Sequence, residues 1–574
     1  MDRLRLLQQI DMAALRRDVE HISQHIPTRL AGTHAGAEMA RYSADRLAQA
    51  GVDARVVATP GLVSVPGPAR LEGEGLRYVL QTCAHCGQTP STGLLAEVVY
   101  AGGGTSGELE RAAVAGKIAL VDLGLPPSRP EKHRLARAAG AVGLITINWG
   151  SDAGDALPYG SVKSIWGNPA SQHDMEDLEA ALPAAGISRR DGLDLLARLK
   201  ARPLALRLHV RPDNDWRIVH YTVGELGGQG RDFVIAGGHQ DSWQGPSATD
   251  NATGSACLLE LARLFGAQRT ELRRGLVFAF WEGHETGGML SSAHYADRNW
   301  ERLRDHAVAY LQIDQPGCLG ATRWSSHSNT QLRRYVQDCD ARLFQDTERS
   351  WRRSTKIGDA SFFGLGIPML AGLASYSPQV LSANANAPFG WWHHTASNTL
   401  DKVDFASLER HMHAYASYLW GLCTLPLLPF DFSDVALGLA ERLRALAGAG
   451  DPLELLPLAA GLDRLADRAG GLAQAVQACN GHPSDGRIER LDDAQKRLSR
   501  LLINLESSAC GRYGHDPYGL SAQSTLLPGL HDLHEWHALE PGPLRWRRET
   551  EFWRTRNRVA DAARDALQII ESVL

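Results

Sequence analysis

Apolar positions change their spacing several times along the chain. The opening stretch MDRLRLLQQIDMAALRRDVEHI interrupts its apolar residues with charge every few positions, as an amphipathic helix does. RLAGTHAG (Arg29–Gly36) makes a glycine-containing turn, and a helix is predicted from about Ala37 to Ala50, ended by Gly51. From about 61 to 212 short β-branched runs alternate with glycine: Leu95–Tyr100, Lys117–Asp122 and Val142–Ile147 read as strands, with a helix over Glu131–Ala139. Residues 148–172, rich in Gly, Ser, Asp and Trp, read as a long loop facing a binding site. Between 213 and 428 strand and helix alternate. Phe233–Gly237 and Leu276–Trp281 are continuous apolar runs, as parallel strands buried on both faces should be, and Ser255–Phe265 is a helix between them. After Pro429 the pattern is helical to the end, with stripes at Leu498, Leu501, Leu502 and Leu505 and at Val559, Ala563, Leu567 and Ile570. The expected fold class is α/β, a mostly parallel mixed sheet flanked by helices, with a β-rich insert at 61–212 and a helical bundle at 429–574. Residues 1–60 and 213–428 then build one α/β domain around that insert.

Composition changes this picture little. The chain has 574 residues, 44% hydrophobic and 22% charged, with a formal net charge of −5, which disfavours nucleic acid as a partner. The amphipathic start lacks the apolar core of a signal peptide, and no segment has the roughly 18 consecutive apolar residues of a membrane span, so the expected location is cytoplasmic. Eight scattered cysteines do not make a disulfide scaffold. Cys83 and Cys86 enclose His85 but lack the second pair of a structural zinc site, so they read as ordinary reduced thiols.

The chemistry sits at the ends of the apolar runs. In GGHQDSW, His239 and Asp241 follow a strand, an arrangement suited to a metal ligand with a carboxylate that fixes its imidazole or the local loop. In TDNATGSA, Asp250 opens a helix, where it could bridge two cations or simply cap the helix. WEGHETGG places Glu285 after a second strand, and YLQIDQP places Asp314 after a third. His394 lies in the aromatic-rich loop GWWHHTASNTLDKVD. Each is weak alone. Two histidines and three carboxylates together suit a pair of zinc ions with one carboxylate shared, an arrangement that can activate water and polarise a carbonyl.

GGHQDSW, TDNATG, FWEGHETG, the Asp of YLQID and HHTASNT resemble, in order and spacing, the co-catalytic zinc peptidase family of bacterial aminopeptidases and glutamate carboxypeptidase. The insert resembles the protease-associated domain of the transferrin-receptor branch. LINLESSACGRYGHDPYG, LPGLHDLHEW and the last helix resemble that branch's helical dimerisation domain. The resemblance implies His239, Asp250, Glu285, Asp314 and His394 as ligands of two Zn2+, with Asp250 bridging. It also implies that Asp241 supports His239, that the chain is a homodimer, and that metal-held water attacks the carbonyl. One departure is sharp: His284 stands where the family has a glutamate as general base. Imidazole can shuttle a proton near neutral pH, so His284 is the expected base, with Glu282 as an alternative, an extra metal ligand as another, and loss of peptide cleavage as a third. A second departure is Asn398, where an acidic residue usually follows the ligand histidine. Trp166, Trp243, Trp391, Trp392 and His393 are candidates to contact substrate, and Lys163 and Arg189 to hold a substrate carboxylate. The expected activity is dinuclear zinc-dependent hydrolysis of an amide bond in a small peptide or N-acyl amino acid. The rivals are hydrolysis of a non-peptide amide metabolite and a non-catalytic binding role like that of the transferrin receptor.

Overall fold

The computed structural model describes residues 3–482 and 486–574. Among these residues, eight strands form one mixed sheet in the order Asp53–Pro66, Pro212–Leu226, Gly275–Trp281, Phe233–His239, Ala307–Gln312, Met369–Ser375, Arg323–Ser328, Arg349–Arg353. Phe233–His239 runs parallel to both neighbours, and its residues are buried throughout, which is why its sequence is apolar without alternation. Four of the seven neighbouring pairs are parallel and three antiparallel, the latter toward the two flanks.

The strand that follows the helix ended by Gly51 is longer than any apolar run there suggests. Asp53–Pro66 pairs with Pro212–Leu226 along its whole length, ending at Pro66 opposite Pro212. Its outer half is largely exposed, so no apolar run marks it. The chain leaves the sheet through this paired ribbon. Pro68–His209 supplies seven further strands that close into a barrel in the order Pro68–Gly73, Leu76–Thr82, Ala184–Ile187, Gly143–Ile147, Ile118–Asp122, Leu94–Tyr100, Ala205–His209. The barrel has its own core, including Leu71, Leu80, Leu120, Ile145 and Leu206.

The C-terminal helices Ser433–Leu446, Leu455–Gly481, Ile488–Ser507 and Pro543–Glu571 do not form a separate core. Leu498, Leu502, Leu505, Val559 and Ile570 join one continuous apolar cluster with Leu261, Phe278 and Leu419 of the α/β domain. Ile503 reaches the other side of the sheet, beside Phe362 and Phe363.

Two buried histidines give the fold a defined response to acid. His133 Nε2 receives the Leu182 amide at 3.0 Å, and His411 Nδ1 receives the Gly317 amide at 3.0 Å. A proton on either accepting nitrogen would break its bond. Burial lowers the pKa to about 4 for His133 and to about 3 for His411. The unfolded chain binds these protons near pH 6.5 and the folded chain does not, so stability falls as pH drops below 6.5 toward each folded pKa. At pH 5 the loss is about 2 kcal/mol for each group. Melting temperatures measured from pH 6.5 to 5 should fall, and His133→Gln and His411→Asn should flatten that slope.

Candidate metal centre

Three strand ends and two loops converge on one point. His239 ends Phe233–His239, Glu285 follows Gly275–Trp281, and Asp314 follows Ala307–Gln312. The ligand loops must approach closely: a β-carbon at Gly238 would lie 2.2 Å from the Ile313 carbonyl. Asn251 stitches them together, donating to the carbonyls of His239 (3.3 Å) and Ile313 (3.1 Å) and accepting from the amides of Gly254 and Gln315.

The structure brings all five expected ligands together. His239 Nε2 lies 3.0 Å from Asp250 Oδ1 and 3.3 Å from Asp314 Oδ1. On the other side, His394 Nε2 lies 3.3 Å from Asp250 Oδ2 and 3.2 Å from Glu285 Oε1. Asp250 thus presents one oxygen to each histidine, the arrangement a carboxylate shared by two cations needs. Both Asp250 oxygens and Glu285 Oε1 are buried without a hydrogen bond of good geometry, although imidazole nitrogens are within contact distance. Buried carboxylates left so are costly, and donors aimed at a common point rather than at each other fit a cation. The protonation balance agrees. Burial opposes charge on His239, yet Asp314, Asp241 and Asp250 hold its pKa well above the ordinary value. Burial opposes charge on His394 too, but Glu285 and Asp250 raise it to about 9. The carboxylates retain positive charge as protons, which divalent cations can replace. Zinc should therefore raise the melting temperature of metal-free protein, by about 2.7 kcal/mol of stability at a hundredfold excess over Kd. Differential scanning fluorimetry with and without zinc measures this.

His284 is held by the carboxylate of Asp359. Its Nδ1 lies 2.9 Å from Asp359 Oδ2, and Asp359 Oδ1 in turn accepts from Ser292 Oγ at 2.8 Å. Asp359 is fully buried and has no signature in the sequence beyond its acidic side chain. Burial and the charge of His239 oppose protonation of His284, but Asp359 and Glu285 outweigh them and raise it to about 9. His239, His284 and Asp314 are close enough to share an ion. Ring orientation argues otherwise: the imidazoles of His239 and His284 stack 4.1 Å apart and 13° from parallel, so an ion in the plane of one lies off the plane of the other.

Asp241 lies behind the site. Its carbonyl is 3.1 Å from His239 Nδ1, and its carboxylate accepts the amides of His284 (3.2 Å) and Glu285 (3.0 Å). It positions this loop and does not line the cavity. Glu282, the alternative base, is turned away. Gln240 donates to it at 2.9 Å, and a β-carbon at Gly36 would lie 2.3 Å from its Oε1. Asn398 accepts from the amide and hydroxyl of Thr249, anchoring the loop that carries Asp250. Arg29, unmarked in the sequence, is a buried cation behind the cluster, donating to the carbonyls of Gln240, Pro246 and Ser247.

A cavity of about 380 Å³ opens onto His284, Glu285, Asp314, His393 and His394. His393 Nδ1 is 3.1 Å from Asp250 Oδ2. The expected tryptophan walls are elsewhere. Trp243 is buried against Tyr159 and the edge of His394, and Trp392 is buried beside Cys318 and Tyr376; neither lines the cavity. Trp166 is buried and donates to Ser361, while Trp391 is partly exposed beneath Lys402. Arg189 is outside the cavity, paired with Asp122 and Asp152. Lys163 does line it, but its ammonium donates to the carbonyls of Gly167 and Gly287. His85 Nε2 reaches the Thr286 carbonyl at 2.7 Å, and burial lowers its pKa to about 3, so the neutral ring donates. The insert thereby grips the loop carrying His284 and Glu285, and Cys83 and Cys86 beside His85 are buried free thiols. Arg129 lines the cavity, packed on Gly160, and forms no ion pair among the described residues; its Nε is buried and unbonded.

Residues 222–419 match the family model for Peptidase family M28, and residues 92–195 match that of the PA domain. The probable glutamate carboxypeptidase VP8 of Zea mays is 24% identical over 86% of this chain and 78% of its own. Aminopeptidase YwaD of Bacillus subtilis is 26% identical over 68% of this chain and 80% of its own. The fold is that of solved aminopeptidases. A zinc aminopeptidase from Bacillus subtilis superposes with a TM-score of 0.56 at 20% identity, covering 72% of this chain and 96% of that one. The aminopeptidase from Aneurinibacillus sp. strain AM-1 gives 0.55 at 22% identity, covering 74% and 96%. The resemblance carried by the five motifs is borne out.

Proposed function

We propose that this chain, with its family M28 peptidase segment around the site, is a dinuclear zinc-dependent hydrolase of an amide bond in a small peptide or N-acyl amino acid. The observation that carries the reading is Asp250, whose two oxygens face two separate ligand groups. His239, Asp250 and Asp314 would hold one ion, and Asp250, Glu285 and His394 the other. When bound, the ions supply Lewis acidity that eases deprotonation of a water and polarises the amide carbonyl.

The protein's own groups do the rest. Asp359 accepts the Nδ1 proton of His284. Without metal the carboxylates around it favour the doubly protonated ring, and two bound cations would disfavour that charge and leave Nε2 as the basic nitrogen. His284 takes a proton at Nε2 from the attacking water and returns it to the amine nitrogen as the C–N bond breaks. Asp241, Lys163 and His85 fix the loop on which His284 and Glu285 ride. Arg129, the guanidinium without an ion pair among the described residues lining the cavity, binds a free carboxylate on the leaving amine half. Arg129→Met is expected to raise KM for a carboxylated substrate by about 10–100-fold with little change in kcat, the loss of one charge-assisted contact. Steady-state kinetics on paired acid and amide substrates checks this: an equal effect on both would remove Arg129 from carboxylate binding.

The same reading carries a homodimer through residues 429–574, where helix Pro543–Glu571 leaves Leu544 and Trp546 exposed. Light scattering should then give about twice the chain mass of 62.4 kDa.

A further inference from the structure

We propose that the acyl side of the substrate is uncharged and apolar: the natural substrate is an N-acyl amino acid, not a peptide with a free amino terminus beside the scissile bond. This rests on the amide-hydrolase reading above and goes beyond it in naming which half of the substrate carries no charge.

The cavity walls argue for it. At about 380 Å³ the space is near the small end of ligand pockets, enough for an amino acid and a compact acyl group. Beyond the metal-ligand cluster its wall carries the apolar side chains of Trp149, Met369, Ala371, Leu373 and Phe389, with the uncharged polar groups of Ser128, Ser161, Gln312 and Gln315 beside them. Ala371 and Leu373 alternate on one strand, so both side chains face the same side of the sheet. Trp149 stacks on His393 at 5.6 Å, and Phe389 meets the same imidazole edge-on at 5.0 Å. These rings present apolar surface, and their contacts with His393 limit what they can offer an ammonium as cation–π partners.

Charge points the same way. Among the described residues lining the cavity, the carboxylates are Glu285 and Asp314, and both belong to the ligand set. His327 is kept neutral, its pKa lowered to about 4 by burial and by the charge of Arg352. An α-ammonium entering this space would lose its water with no free counter-charge waiting, whereas a benzoyl or aliphatic acyl group buries apolar surface on the wall. The reaction balances simply. The water oxygen bonds to the acyl carbon, the C–N bond breaks, and the water's protons finish on the released amine and acid.

The test uses the full-length zinc-loaded protein with N-benzoyl-L-alanine and L-alanyl-L-alanine, which share the carboxylate half. N-Benzoylalanine is expected to have a kcat/KM about 100-fold higher or more, the scale of an unpaired charge brought into an apolar site. Comparable or faster cleavage of alanylalanine overturns the inference while leaving the amide-hydrolase reading intact. If neither is cleaved with zinc bound, that reading fails. Calorimetric binding of the same two compounds then decides the pocket preference by itself: tighter N-benzoylalanine supports it and tighter alanylalanine sinks it. Leu373→Asp, which adds a carboxylate to the wall, should shift the preference toward the free amine by about tenfold. An unchanged ratio in a folded, zinc-loaded variant would also count against the proposal.

Discussion

Replacing His284 by alanine is expected to lower kcat by about 10²–10⁴-fold, the contribution of a positioned proton-transfer group, while bound zinc stays at the native level. The two halves of this result separate the roles open to His284. A base lost from beside the metals costs turnover alone. A ligand lost from the metals costs zinc as well, and the stacking of His284 on His239 argues against that outcome. His284→Glu, which restores the family's usual residue, should not restore native activity. The new carboxylate would stand close to Asp359, whose oxygen is 2.9 Å from the native ring, and two such carboxylates repel. His284→Glu/Asp359→Asn removes the repulsion and should recover at least part of the loss. Asp359→Asn alone should lower kcat through His284 and have little further effect in the His284→Ala background. Additive losses would show that Asp359 acts by another route.

Asp250→Ala is expected to be the most damaging single change, because one side chain serves both halves of the site. Its oxygens face His239 and His394 separately, so its removal takes a donor from each ion and leaves both histidines without their shared partner. Zinc should fall below one ion per chain, activity should be lost, and the zinc-dependent rise in melting temperature should disappear. Glu285→Ala should spare the ion held on the His239 side. Retention of both ions by Asp250→Ala, measured by elemental analysis after dialysis, would refute the shared-carboxylate geometry.

The parts of this site that were legible in the sequence share a physical reason. His239, Glu285 and Asp314 each follow a continuous apolar run, and the carboxyl ends of buried parallel strands are where such sheets collect polar groups. Asp250 and His394 were legible through their motifs. The supporting residues were not. Asp359 reaches His284 across 75 positions, and Arg29 reaches the Gln240 carbonyl across 211. Nothing local in the chain marks either contact. The tryptophans show the converse. Trp243 and Trp392 stand next to site motifs, but neighbours in sequence project in different directions, and both fill core rather than cavity. Arg129 lies just before the helix predicted over Glu131–Ala139, and its place on the cavity wall comes from the insert folding back over the α/β domain. The long ribbon Asp53–Pro66 was hidden because its exposed outer half has no need of apolar alternation.

The central claim is that one bridging carboxylate organises two cations in this chain. The most direct measurement is zinc stoichiometry: metal-free native protein is titrated with zinc, dialysed, and its bound metal counted per chain by elemental analysis. The account predicts two ions per chain, with hydrolysis appearing as they bind. One ion at saturation, or none, would contradict it.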